Sequence, residues 1–260
     1  MHMNKKQNLE KIINQNLNID RGNKEFMENI RAVIFDMDGT MFDTESLQVK
    51  EWTKIGKKYN FNITDELIKS TFGISRAKTK QIFLDALGDD FDFDYYRDMR
   101  EENVKDYIKQ NGLPQKKGLM PLLNYLRENR YEMAIATSSS KEKTYGYLGK
   151  AGLTKYFHVI ITGDMVSQGK PDPEIYLTAF KELNKRFKSL QKSQCIVIED
   201  APSGIQAAKK SGMNVVMVPD LIEPTLEIQE LLYAKCGSLL DVKRMLEKRK
   251  DVNETSLIRK

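Results

Sequence analysis

From residue 31 onward the chain is punctuated by short, uninterrupted apolar runs. Ala32-Val33-Ile34-Phe35 comes first, followed by Met133-Ala134-Ile135-Ala136, Val159-Ile160-Ile161, Cys195-Ile196-Val197-Ile198 and Val215-Val216-Met217-Val218. Each run is too brief for a helix and apolar at every position, as a strand is when helices cover both faces of its sheet. The segments between them carry helical spacing: Leu119–Asn129, Pro173–Leu183 and Ser203–Ser211, the last stopped by Gly212. This alternation predicts an α/β fold, a doubly wound, Rossmann-like parallel sheet.

The strand pattern disappears between the first and second runs. Trp52, Ile55 and Tyr59 keep helical spacing, and Leu67, Phe72, Ile82, Phe83 and Leu87 continue it, until Gly112, Pro114 and Gly118 mark the exit. Residues 45–116 are too many for a loop. They are read as an inserted α-helical cap subdomain, with Trp52 in its interior. Residues 31–44 and 117–260 then form the sheet core, and residues 1–30 an N-terminal extension. That extension is polar and Asn-rich, without the apolar segment of a signal peptide or the Arg/Ser bias of a transit peptide. Leu9, Ile12, Ile13 and Leu17 make a short amphipathic stripe in it, which suits an extra helix packed on the body or a frayed tail better than a partner-binding helix. The basic cluster Lys243–Lys250 reads as the solvated face of a last helix.

Composition narrows the chemistry. The 260 residues are 40% hydrophobic and 30% charged with mean hydropathy −0.55, and no run approaches the roughly 18 apolar residues of a membrane helix. The net charge of +5 comes from interleaved acidic and basic residues, which gives no nucleic-acid footprint. Two cysteines, Cys195 and Cys236, make no disulfide framework and fit a reducing compartment, so a cytoplasmic location is expected. With only His2 and His158, a multi-histidine metal site is excluded. Carboxylates, hydroxyls and lysines must carry any chemistry.

Parallel sheets bind ligands beyond the carboxyl ends of their strands. Asp36 and Asp38 follow the first apolar run, and Thr137 and Ser138 the second. Thr162, Gly163 and Asp164 follow the third, with Lys170-Pro171-Asp172-Pro173 shortly after, and Glu199-Asp200 ends the fourth. Each piece alone has an ordinary structural use: D-x-D-G as a turn, Lys-Pro-Asp-Pro as a helix start, Glu-Asp as complement to a helix dipole. Their joint occurrence at successive strand ends points to one cleft. Carboxylates gathered there repel unless a cation or shared proton intervenes, and oxygen donors without Cys or His select Mg²⁺. A site with Mg²⁺, a lysine and strand-end hydroxyls suits a phosphoryl group.

Asp36-Met37-Asp38-Gly39-Thr40, Thr137, Lys170 and Glu199-Asp200 resemble the four motifs of the haloacid dehalogenase superfamily. The strings Gly169-Lys170-Pro171-Asp172-Pro173, Ile198-Glu199-Asp200-Ala201-Pro202-Ser203-Gly204 and Met217-Val218-Pro219-Asp220 are similar to its beta-phosphoglucomutase-like branch, which includes sugar-phosphate and pseudouridine-5′-phosphate phosphatases. The resemblance implies Asp36 as the nucleophile that takes the phosphoryl group as an aspartyl-phosphate. It implies Asp38 as the general acid and later base, Thr137 as donor to the phosphoryl oxygens, and Lys170 as their neutralising charge. Asp36, the Asp38 backbone carbonyl, Glu199 and Asp200 would hold Mg²⁺. Gly39 and Thr40 would shape the phosphate-binding loop, and Ser138 would add to it.

In the cap, Gly73-Ile74-Ser75-Arg76 resembles the segment in which an arginine clamps the substrate, although a solvated arginine at a helix start fits nearly as well. Arg100 falls near a basic cap residue of the mutase, in a loose register that is discounted. The mutase carries a histidine twelve residues after its nucleophile, and here that position is Gln48. A Mg²⁺-dependent phosphatase of a small phosphate monoester, phosphosugar-like or nucleoside-monophosphate-like, is therefore expected ahead of a mutase. A non-catalytic binding protein on the same fold comes after both. The expected partner is a small phosphate ester substrate, with no nucleic acid and no membrane, and the protein is expected to be a monomer.

Overall fold

The computed structural model describes residues 30–257 except Gly73, and side chains up to residue 248. The N-terminal stripe, His2 and Gly73 lie outside the described residues. The chain enters through strand β1 (Ala32–Phe35). Four helices follow, α1 (Glu45–Tyr59), α2 (Asp65–Lys69), α3 (Arg76–Leu87) and α4 (Phe93–Asn111). Next come α5 (Leu119–Glu128), β2 (Glu132–Ala136), α6 (Lys141–Ala151), β3 (Val159–Ile161), α7 (Glu174–Arg186), β4 (Cys195–Glu199) and α8 (Pro202–Lys210). The chain continues through β5 (Asn214–Met217), α9 (Leu226–Leu231), β6 (Ala234–Lys235) and α10 (Leu239–Leu257).

The six strands form one sheet in the order β3-β2-β1-β4-β5-β6, every pair parallel. Phe35 lies opposite Ile135 on one side and Ile198 on the other, so the ends of β1, β2 and β4 come out level. From β1 the chain builds outward to β3 and then crosses back to β4. This reversal opens a crevice beside β1, where such sheets bind ligands.

Strand alternation sorts the side chains into two cores. Val33, Phe35, Met133, Ile135, Ile196 and Ile198 face Leu122, Leu123 and Leu126 of α5 and Leu239, Val242 and Leu246 of α10. Ala32, Ile34, Ala134, Val197 and Val215 face Ile175, Ala179 and Leu183 of α7 and Ile205 and Ala208 of α8. Both faces are covered, which is why the strands read as unbroken apolar runs.

Helices α1–α4 leave from the end of β1. Their interior is a third cluster of Trp52, Ile55, Ile63, Ile68, Phe72, Phe83, Phe91 and Phe93. The two outer helices straddle both regions: Leu47 of α1 and Val104 and Ile108 of α4 join the sheet-side core. The chain leaves and returns through paired linkers, with the Asp43 amide on the Pro114 carbonyl and the Lys116 amide on the Met41 carbonyl. On the return side, Leu221 and Ile222, in the loop after β5, also pack against this third cluster.

Candidate active site

Asp36 is the first residue past β1, its amide bonded to the Ile198 carbonyl at 3.0 Å. Lys170, fully buried, donates to Asp36 Oδ1 and to Glu199 Oε1, the latter at 2.6 Å. Tyr176 of α7 donates its hydroxyl to the same Glu199 oxygen at 2.7 Å. The other oxygen, Oε2, accepts from the amides of Asp200 and Ala201, both at 3.0 Å, where the chain turns into α8. Glu199 thus sits against a helix N-terminus, where unpaired amides favour negative charge. Gly204 makes this possible, because a Cβ there would come within 1.7 Å of Glu199 Oε1.

Asp200 completes a trio with Asp36 and Glu199, all three buried, their ligand oxygens within 4.8 Å of one another. Thr40 donates to Asp200 Oδ1 at 2.7 Å. Gly39 (φ +81°) lies so close that a Cβ would meet Asp200 Oδ2 at 2.3 Å. Burial pushes Asp36 up to about 7, aided by Glu199 and Asp38 and opposed by Lys170. Burial, with Glu199 and Asp36 nearby, also holds Asp200 well above the usual carboxylate range. Three buried oxygen donors with excess negative charge and one lysine fit a hard divalent cation such as Mg²⁺. A second trio, Glu45, Asp200 and Asp220, adjoins the first through Asp200, its ligand oxygens also within 4.8 Å of one another. Lys116 donates to Asp220 Oδ1 at 2.6 Å.

Asp38 faces other company. Thr44 donates to its Oδ1 and Ser139 to its Oδ2, both at 2.6 Å, while Lys143 of α6 stands 3.0 Å from Oδ1. Burial alone would raise its pKa, but the Lys143 charge and the hydroxyls outweigh it and hold Asp38 below the usual carboxylate value. Alongside, buried Arg100 of α4 donates to Gln48 Oε1 at 2.6 Å and pairs with Glu101. The helical region also touches the Lys170 loop, since a Cβ on Gly169 would come 3.0 Å from the Ser75 Cβ. Ser203 Oγ reaches the Phe72 carbonyl at 3.4 Å.

The sequence profile of haloacid dehalogenase-like hydrolases matches residues 33–218, the stretch that carries all of these groups except Asp220. The chain belongs to that family. It is 30% identical over 218 residues to a phosphorylated carbohydrates phosphatase of Thermotoga maritima, covering 84% of this chain and 91% of that one. It is 31% identical over 192 residues to the validoxylamine A 7′-phosphate phosphatase of Streptomyces hygroscopicus, covering 72% and 84%. Among solved structures it resembles a beta-phosphoglucomutase from Clostridium difficile with TM-score 0.66 at 25% identity, covering 86% of this chain and 98% of that one.

In this haloacid dehalogenase-like hydrolase the strand-end residues read from the sequence largely converge. Asp36, Lys170, Glu199, Asp200, Thr40 and Gly39 meet in one buried cluster, and Asp38 stands beside it. Thr137 is buried at the end of β2, its hydroxyl accepting the Ser139 amide at 3.1 Å. Of the residues just past β2, Ser139 donates its hydroxyl to Asp38 beside that of Thr44, while the Ser138 carbonyl lies against Gly163.

Arg76 stands apart from this cluster. It starts α3 as an exposed residue whose guanidinium pairs with Asp94 of α4 at 2.7 Å. The cap arginine that is buried on the Asp38 side is Arg100, which the loose register discounted. Glu45, Asp220, Lys116, Lys143, Ser139 and Tyr176 were not singled out as site residues. Lys143 left one trace, a cation in the first turn of α6 where the helix dipole disfavours it.

Proposed function

We propose that this chain is a Mg²⁺-dependent phosphatase of a small organic phosphate monoester, phosphosugar-like or nucleoside-monophosphate-like, acting through an aspartyl-phosphate on Asp36. One observation carries the reading: two aspartates from one strand end are split between a cation-fitting carboxylate cluster and a basic, hydroxyl-lined pocket. The names of the relatives support phosphate esters as substrates.

In this reading Asp36 attacks phosphorus, forming the Asp36–phosphorus bond as the bond to the leaving oxygen breaks. Lys170 and the Thr137 hydroxyl offset the phosphoryl charge, and Gly39, Thr40 and Ser138 shape the surrounding loops. Mg²⁺ held by Asp36, Glu199 and Asp200, with the Asp38 carbonyl, would supply the charge neutralisation that lets two anions meet. In the free protein Asp38 is ionised. An arriving phosphate dianion raises its proton affinity, so that it binds the proton that it then gives to the leaving oxygen. In the second half Asp38 takes a proton from water as the water oxygen attacks phosphorus, which frees Asp36 and inorganic phosphate. Residues 45–116 act as the cap over this cleft, and residues 31–44 and 117–260 as the body that performs the transfer.

A mutase would need the phospho-aspartate to wait for a sugar hydroxyl. Gln48, engaged by Arg100 where the mutase has histidine, has no titrating group to offer there. The test is phosphate release from a panel of sugar, nucleotide and pseudouridine phosphates. Turnover that stops in excess EDTA is expected, and full turnover there would overturn the metal-dependent reading. Sugar-phosphate isomerisation without phosphate release would replace hydrolysis with transfer.

A further inference from the structure

The second acidic trio is built differently from the first. Glu45 is 4% exposed, yet its carboxylate makes no hydrogen bond to another described residue. The Asp220 side chain is 7% exposed, and its Oδ2 is buried without a partner. A buried carboxylate oxygen left unpaired, as Asp220 Oδ2 is, costs stability unless something donates to it. One carboxylate oxygen of each lies within 4.8 Å of one from Asp200, the carboxylate shared with the first trio. An octahedral Mg²⁺ is usually held by one or two carboxylates and characteristically keeps several waters, which need acceptors.

Resting on the reading that the first trio holds a cation, we propose that Glu45 and Asp220 form its outer coordination sphere, accepting hydrogen bonds from its bound waters. Their placement gives this a consequence for the cap. Glu45 opens α1, the first cap helix, and Asp220 is tied to Lys116 in the returning linker. Both cap linkers therefore end on acceptors for the same hydration shell. Cation binding fastens the hinge as well as charging the cleft, and by linkage a fastened hinge tightens the cation.

The test is calorimetric titration of Mg²⁺ into the EDTA-stripped full chain, without any phosphate ester. Glu45→Gln keeps the side-chain shape but removes the acceptor charge, and should raise the Mg²⁺ Kd about tenfold or more, as loss of outer-sphere partners does elsewhere. Glu51→Gln, a buried acid on the same helix paired with Lys54, should leave it unchanged. In wild type, Mg²⁺ should slow hydrogen exchange at the Asp43 and Lys116 amides, and Glu45→Gln should abolish that slowing. A melting curve in EDTA checks that the variant folds; if it does not, Asp220→Asn carries the same titration. An unchanged or lower Kd in the folded variant overturns the proposal while leaving the metal-dependent reading intact. Absence of Mg²⁺ binding in wild type overturns both.

Discussion

Asp36 and Asp38 leave β1 two residues apart and enter opposite surroundings. On the Asp36 side, Glu199 and Asp200 crowd in and, among the described residues, Lys170 is the cation in contact, so burial drives the carboxyl up to about 7. On the Asp38 side, Lys143 and the hydroxyls of Thr44 and Ser139 reverse the effect of burial and keep the carboxyl ionised. The difference shows that burial alone does not set a carboxylate's behaviour; what decides is whether its neighbours repeat or complement its charge. One side carries negative charge that a cation would offset, whereas on the other the protein itself supplies the compensating charge and hydrogen bonds.

The sharpest way to break this comparison is to exchange charge for amide on each side. Asp36→Asn should abolish turnover, by more than about 10⁴-fold, because in the proposed mechanism the Asp36 carboxylate itself takes the phosphoryl. Kinetics on p-nitrophenyl phosphate check it, and residual turnover near wild type would move the nucleophile elsewhere. Asp38→Asn should cost about 10²–10⁴-fold, most on substrates with poor leaving groups. Wild-type kcat on an alkyl phosphate would show that Asp38 is not the acid.

A smaller effect separates the two sides by pH. Asp36 holds its proton more tightly folded than unfolded, so its contribution to the cation-free fold is lost as pH rises from the ordinary carboxylate range through about 7. The cation must displace that proton, so the Mg²⁺ Kd should rise by about tenfold per unit as pH falls below 7. A pH-independent Kd from calorimetry would contradict the assignment. Arg76→Ala should do least, within about twofold in kcat/KM, since its exposed pair with Asp94 is screened by solvent. A large loss confined to the physiological ester would restore Arg76 as a substrate clamp.

What the sequence made legible follows from where information is local. The apolar runs located five strands, and the polar residue after each run located most of the cleft, because a strand buried on both faces announces its own end. β6 escaped notice, being two residues long with no apolar run to mark it. The outer carboxylates escaped for another reason. Asp220 finds Lys116 across 104 positions, and Glu45 meets Asp200 only after the sheet has closed. Tyr176 hid within the apolar stripe of α7, where its ring behaves as core and only its hydroxyl reaches Glu199. Choosing between Arg76 and Arg100 required knowing which helix faces the cleft, and spacing within one helix does not supply that.

The aromatic interior of the cap has an optical consequence. Trp52 is the only tryptophan in the chain, buried with Phe83 at a centroid distance of 4.7 Å and the Arg100 guanidinium 5.3 Å from its ring. All tryptophan emission therefore originates in the cap, whereas far-ultraviolet dichroism is averaged over every helix and strand. Recorded together during denaturation, the two signals distinguish a cap that loosens first from a molecule that melts as a unit. The protein thus carries a fluorescent label on its own lid, placed where an experimenter would otherwise have to attach one.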